Sequence, residues 1–211
     1  MTTADLKRTV YPDYASYRRD QASKLDLSNG EAYTDPAAQE QQFVIRFVEL
    51  PIPTGQRVLC VGARRGEEVR AWRSLGHTAI GIDFNPGANN PDVQIADFHT
   101  LPFPEGHFTV VYSNSLDHAF DWMRAVAEWR RVLSPEGWLV LDLVRGYAEG
   151  YQTGGRDCLH WPTAYGMAKL VASVLEWDIT QHKDLLTVEV KDVLQVVLRS
   201  PAPMKPPYPE A

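Results

Sequence analysis

The sequence predicts an α/β fold in which helices cover both faces of a parallel sheet, and three observations carry that prediction. From Gln56 onward the apolar period switches repeatedly between short strand-like runs and the three-to-four spacing of helices. Strand and helix runs alternate along the chain instead of clustering, which is the pattern of successive βαβ units. The 211 residues are 44% hydrophobic and 23% charged, enough apolar side chain for one core of ordinary domain size.

Residues 1–51 read as an N-terminal helical arm or cap. Tyr11, Tyr14, Tyr17 and Tyr33 stand among polar neighbours with no clean strand pattern, which suits one or two short helices or an extended arm. Asp35 is placed as an N-cap with Pro36 at the first helical position, where a missing N–H costs nothing. Phe43, Val44, Phe47 and Val48 share one face of that helix, and Pro51 and Pro53 end it.

The main domain is taken as 52–199. Its first strand is Arg57–Val61, followed by a helix over Glu67–Leu75 with Val69, Trp72 and Leu75 at helical spacing before Gly76. Thr78–Asp83, Val93–Ala96 and Phe108–Ser113 are the next strands, the last introduced by the turn dipeptide Glu105-Gly106. Asp121 caps a helix to Leu133 carrying Met123, Val126, Ala127, Val132 and Leu133, and Ser134-Pro135-Glu136-Gly137 turns into the strand Trp138–Leu143. A Gly-rich connection, Val144–Trp161, leads to a helix over Pro162–Leu175 with Leu170, Val171, Val174 and Leu175 on one side. Trp177–Val197 is β-rich and is expected to split around the polar Gln181–Asp184 into an antiparallel pair. The proline-rich tail, 200–211, is expected to be extended or disordered.

Composition narrows the partners. Lys plus Arg is 21 against 27 Asp plus Glu, a net charge of −6, with no concentrated basic run. Nucleic acid is therefore not an expected partner, since phosphate binding needs a cationic face. No apolar stretch is long enough to span a bilayer, and the N-terminus lacks a signal-peptide core. Two cysteines, Cys60 and Cys158, are too few for a disulfide framework, so a reducing cytoplasm and no membrane are expected. Oligomeric state leaves no mark on the sequence.

In an open, doubly wound sheet, ligands bind beyond the carboxyl ends of the strands, so the residues to read are those ending strands one to four. The first strand runs into Gly62-Ala63-Arg64-Arg65-Gly66. Gly62 permits close approach of backbone to a ligand, and Gly66 stands where the next helix offers its free N–H groups to an anion. A tight strand-to-helix turn without a ligand is the plain alternative. Asp83 ends the second strand, where a carboxylate can accept both ribose hydroxyls; a solvated loop acid would look the same. Asp97 and Phe98 follow the third strand. A carboxylate there can accept from an adenine amine, and Phe84 and Phe98 can stack on its ring, although either is equally a core residue.

Four segments resemble the class I S-adenosylmethionine-dependent methyltransferases, in particular the small single-domain enzymes that act on small molecules. They are VLCVGARRGEEV (58–69), AIGIDFNPG (79–87), IADFHTLPFPEGHFTVVYSNSL (95–116) and EWRRVLSPEGWLVL (128–141), in that order. The resemblance implies a Rossmann-like, seven-stranded, mostly parallel sheet with an antiparallel C-terminal pair. It implies S-adenosyl-L-methionine as cofactor and a small-molecule acceptor receiving the methyl group at O, N or C. Carried over by position, Gly62, Ala63, Arg64 and Gly66 surround the methionine part, Asp83 takes the ribose, Phe84 and Phe98 the adenine, Asp97 its amino group, and Asn114 and Ser115 the floor. Two departures stand out. Cys60 replaces the usual acid, and Arg64 replaces a second glycine, either folding outward or pairing with the methionine carboxylate.

Methyl transfer from a sulfonium leans on positioning, and a base is needed only where the acceptor must lose a proton. His118, beside Asp117, is the candidate catalytic base; capping the helix at Asp121 is its bland role. Asp97, His99, Asp117 and His118 could gather at the strand ends, but no spacing demands a metal and none is expected. Trp161 and Tyr165 are offered as an aromatic acceptor wall or as core, and His160 lies between Cys158 and Trp161. Tyr11, Tyr14 and Tyr17 fit either a lid over the cofactor or a helix docked on the surface. Two other readings stay in view: a degenerate member that binds the cofactor or a nucleoside without transfer, and a nicotinamide enzyme sharing Gly62, Gly66 and Asp83. The second lacks a complete G-x-G-x-x-G and leaves 128–141 unexplained.

Overall fold

In the computed structural model, which describes residues 1–23, 35–151, 157–185 and 193–200, the arm begins with a 3-10 turn at Thr3–Asp5 and a strand, β1 (Lys7–Arg8). Helix α1 (Tyr14–Ala22) follows, capped by Asp13, whose side chain accepts from the Ser16 N–H. Helix α2 (Pro36–Phe47) starts on the Asp35 cap as the sequence predicts. The sheet strands and helices then alternate: β2 (Arg57–Val61), α3 (Glu67–Ser74), β3 (Thr78–Asp83), β4 (Val93–Ile95), β5 (Phe108–Ser113), α4 (Trp122–Val132) and β6 (Leu133–Val144). A short strand β7 (Leu159–His160), helix α5 (Ala164–Leu175) and strands β8 (Asp178–Leu185) and β9 (Val193–Arg199) complete the described chain.

The seven-stranded sheet has the order β4-β3-β2-β5-β6-β9-β8. The β2–β3, β3–β4, β2–β5 and β5–β6 pairs are parallel, while β9 runs antiparallel to both β6 and β8. This is the doubly wound, Rossmann-like architecture the sequence predicts. A second, two-stranded sheet joins β1 to β7, with Lys7 opposite His160 and Arg8 opposite Leu159.

Each central strand feeds two cores in alternation. Leu59, Val61 and Val111, with Leu139, Leu141 and Leu143, pack under α4 and α5. Val58, Cys60, Val110, Tyr112 and Val140 pack under α2 and α3, where Phe47 stacks on Trp72 at 4.3 Å between ring centroids. Burial on both faces is what a mainly apolar strand requires. One polar group breaks the pattern. Asp142 is buried on the α2 side and accepts from Tyr112 Oη and Gln195 Nε2, each at 2.9 Å, with Arg46 of α2 at 3.3 Å. Burial raises the Asp142 carboxyl above its ordinary value, against the pull of Arg46 and these hydrogen bonds.

Several expectations are corrected. Gln181–Asp184 lies inside β8 and does not divide the pair; β8 is an edge strand, so its polar residues face solvent without interrupting pairing. Ser134–Gly137 belongs to β6, and pairing with β5 jumps from Phe108–Leu133 to Val110–Trp138, so the four residues bulge from the ladder. The buried face of α4 is Trp122, Ala125, Val126, Trp129 and Val132, with Met123 at 45% exposure; that of α5 includes Ala164, Met167, Ala168, Val171 and Leu175, with Val174 at 41%. Val48 caps α2 and is exposed instead of sharing the face of Phe47. The arm includes β1, which the sequence did not suggest. Tyr33 and the tail 201–211 lie outside the described residues.

Because Arg46 compensates a buried carboxyl, Arg46→Ala is expected to destabilise the fold by about 3–5 kcal/mol. Adding Asp142→Asn should recover part of that loss in the same denaturant titration.

Candidate functional site

The parallel register brings the ends of four strands to one edge: Val61 lies opposite Ile82 and Ser113, and Asp83 opposite Ile95. The chain leaves β2 through Gly62 and Ala63, whose N–H groups both donate to the Ile82 carbonyl at 2.9 and 3.0 Å. Gly62 has φ +76°, and a Cβ there would come within 2.5 Å of Ser115 Oγ, so only glycine fits. Two residues later Arg64 also holds a positive φ, +37°, a conformation that disfavours a side chain.

A narrow cleft opens at this edge. Its floor is Gly62, Arg64 and Ser115; Asp83, Phe84 and Asn85 form one wall, and Ala96, Phe98 and His118 the other. Tyr17 and Gln21 of α1 close the top. The Asp83 carboxylate accepts from the Arg64 N–H at 3.1 Å and the Asn85 N–H at 2.9 Å, which fixes both oxygens at the cleft wall. The Phe84 and Phe98 rings are stacked with centroids 6.4 Å apart.

The arm is locked over the cleft by one polar cluster. Tyr14 Oη donates to Asp97 Oδ2 at 2.5 Å and lies 3.0 Å from His99 Nδ1, which is 2.9 Å from Asp97 Oδ1. His99 Nε2 accepts from the Asp121 N–H at 3.2 Å, which puts the ring proton on Nδ1, facing Asp97. Burial pushes the Asp97 carboxyl up, but hydrogen bonds from His99 and Tyr14 outweigh it and hold the group below its ordinary value. Tyr17 is wholly buried, edge-on to Phe84 and packed on Phe120, and its hydroxyl has no hydrogen-bond partner among the described residues. Burial raises that hydroxyl well above the usual tyrosine value. Asn85 Nδ2 donates to the Ala22 carbonyl at 2.8 Å, tying the far end of α1 to the wall.

Of the residues singled out in the sequence, Gly62, Arg64, Asp83, Phe84, Phe98, Ser115 and His118 meet in this cleft. Four others do not line it. Ala63 is buried where a Cβ on Gly81 would touch it, and Gly66 packs against Asp92 and Val93. Asp97 turns to Tyr14 and His99, and Asn114 accepts from Ser115 Oγ at 3.0 Å beside the floor. Trp161 is core, its Nε1 donating to the Val144 carbonyl, and Tyr165 stacks near His182 away from the cleft. The set Asp97, His99, Asp117 and His118 divides in two: the first pair joins Tyr14, while His118 is grouped with Asp117 and Asp157. Gln21 and Asp157 were missed, because nothing near them in sequence marks them.

The comparisons with known proteins agree with this geometry. Residues 59–141 match the profile of a family described as a methyltransferase domain. Over that stretch the chain is similar to methyltransferase domains, and the remainder of the chain lies outside the match. A malonyl-[acyl-carrier protein] O-methyltransferase of Halorhodospira halophila is 29% identical over 127 residues, 52% of this chain and 43% of that protein. The chain therefore matches less than half the length of that curated relative. Among solved structures, 1,6-didemethyltoxoflavin-N1-methyltransferase of Burkholderia thailandensis, with 1,6-didemethyltoxoflavin and S-adenosylhomocysteine bound, shares the fold at a TM-score of 0.69 and 17% identity. That match covers 92% of this chain and 94% of that one. The [4+2]-cyclase SpnF is similar at TM-score 0.65 and 16% identity, over 92% and 98% of the two chains.

Behind the loop, Glu68 in the first turn of α3 is buried, and burial raises its carboxyl from 4.5 to about 8, with Glu67 and Asp83 adding to the rise. The folded state then holds a proton that the unfolded chain releases near 4.5, so stability falls as pH rises between about 4.5 and 8. Glu68→Gln should flatten that slope, at most about 1.4 kcal/mol per pH unit, in denaturant titrations at several pH values.

Proposed function

We propose that this methyltransferase domain transfers a methyl group from S-adenosylmethionine to a small-molecule acceptor at oxygen, nitrogen or carbon, in the cleft over β2–β5. The observation that carries the proposal is the convergence there of Gly62, Asp83, Phe84, Phe98 and Ser115 with the buried Tyr17 of α1. These groups fit the cofactor. Asp83, with both oxygens steadied by backbone N–H groups, receives the ribose hydroxyls. Phe84 and Phe98 hold the adenine between apolar faces, and Gly62 leaves the methionine part room above Ser115. Tyr17 offers a hydroxyl that otherwise costs free energy to bury. Asp97 stays engaged with Tyr14 and His99 and acts by holding α1 over the site.

When bound, the cofactor supplies a methyl already activated on sulfur, so the protein has to position the acceptor and manage its proton. His118 lies on the cleft wall and is assigned as the base that takes that proton. The narrow cleft and its cover by Tyr17 and Gln21 suit a compact acceptor or the end of a carried one. The Halorhodospira and Burkholderia proteins are named for such acceptors. A binding protein without transfer is the second reading, favoured by Arg64 at positive φ and by the buried Cys60.

Two measurements test this. In titration calorimetry, S-adenosylmethionine and S-adenosylhomocysteine should bind with micromolar affinity, and Asp83→Ala should weaken both at least about tenfold, the loss of a charged hydrogen-bond acceptor; no binding to wild type defeats the proposal. In an acceptor screen reading S-adenosylhomocysteine release, His118→Gln should lower turnover about 10²–10⁴-fold with cofactor affinity kept. Binding without release on any acceptor favours the second reading.

A further inference from the structure

His118 is flanked on both ring nitrogens by buried carboxylates. It ends a 3-10 turn, Leu116–His118, directly after β5. Nε2 lies 3.8 Å from Asp117 Oδ2, and Nδ1 lies 3.8 Å from Asp157 Oδ1, with the two aspartate side chains only 7% and 6% exposed. Asp117 is its chain neighbour, but Asp157 arrives from the connection after β6. Three hydrogen bonds put it there. Thr9 Oγ1 donates to the Asp157 carbonyl at 2.7 Å, the Thr9 N–H to the Cys158 carbonyl at 3.0 Å, and the Cys158 N–H to the Asp117 carbonyl at 2.7 Å. The β1–β7 pairing runs on from these bonds.

We infer that Asp157 is a positioning residue for His118: its carboxylate on the Nδ1 side orients the imidazole and stabilises the imidazolium once the acceptor's proton has moved. This rests on the assignment of His118 as the base. The 3.8 Å separation is longer than a hydrogen bond, and catalytic pairs of this kind tighten when the substrate complex forms. Among the described residues, the charged groups beside His118 are Asp117 on its own turn and Asp157 from the connection, and Asp83, Arg64 and Tyr17 line the same cleft. Two carboxylates at 3.8 Å favour the protonated ring, and removing one weakens its hold on the proton.

The test is an NMR titration of the His118 ring in the full chain, which needs no acceptor. Asp157→Asn should lower the His118 midpoint by about one pH unit, whereas Asp157→Glu, which keeps the charge, should leave it within a few tenths. With an acceptor in hand, Asp157→Asn should cut kcat about 10–100-fold with KM and cofactor affinity held, and move the acid limb of the kcat profile to lower pH. An unmoved midpoint in Asp157→Asn overturns the inference even where kcat falls, because a loosened connection slows turnover without changing the ring's proton affinity. Should Asp157→Asn fail to fold, a His118 midpoint lowered by about one pH unit in Asp157→Glu, which keeps the charge, overturns it. Full activity in His118→Gln would instead remove the base assignment itself, a failure separate from that of Asp157.

Discussion

The molecule depends on the in-register parallel pairing of β2 with β3 and β5. That register sets Val61, Ile82 and Ser113 at one level, so the segments leaving three strands must share one small volume. The Ile82 carbonyl takes two N–H groups from the outgoing turn, and the lack of a Cβ on Gly62 lets Ser115 approach. Asp83 is presented at the cleft because the same turn supplies an N–H to its carboxylate. Shifting any of these strands by one residue would exchange the two cores and bury the acid.

The domain handles buried and half-buried acids in three ways. Asp142 has a cation, a phenol and an amide around it; Glu68 keeps its proton; Asp97 sits in hydrogen bonds from a tyrosine and a histidine. Each solution ties together parts distant in sequence. Asp142 fixes α2 to the sheet, and Asp97 fixes α1 over the cleft. A buried carboxyl becomes a specific anchor because few arrangements satisfy it.

How much of this was legible in the sequence follows from how local each feature is. The strands at Arg57–Val61, Thr78–Asp83 and Phe108–Ser113 fell where the apolar runs put them, and the caps at Asp35 and Asp121 were readable from their side chains. The floor of the cleft was readable too, since Gly62, Asp83 and Phe98 lie in short segments ending strands. Misreadings arose where tertiary context overrides composition. Edge strand β8 tolerates the polar run Gln181–Asp184, and α4 turns Trp122 and Trp129 inward while leaving Met123 at the surface. Asp157, Gln21 and the β1–β7 sheet depend on contacts between the two ends of the chain, which no local pattern encodes.

The β1–β7 sheet has a consequence for how such a chain diversifies. The region matching the methyltransferase profile, 59–141, contains the floor and walls, whereas α1 and the β1–β7 sheet lie outside it. Selection can therefore redraw the roof by substitutions and insertions at two surface segments while the inherited floor stays intact. Chains nearly identical over the central stretch would then differ in what they admit, and descent inferred from that stretch alone would group them by donor chemistry and remain blind to their separate histories of acceptor choice.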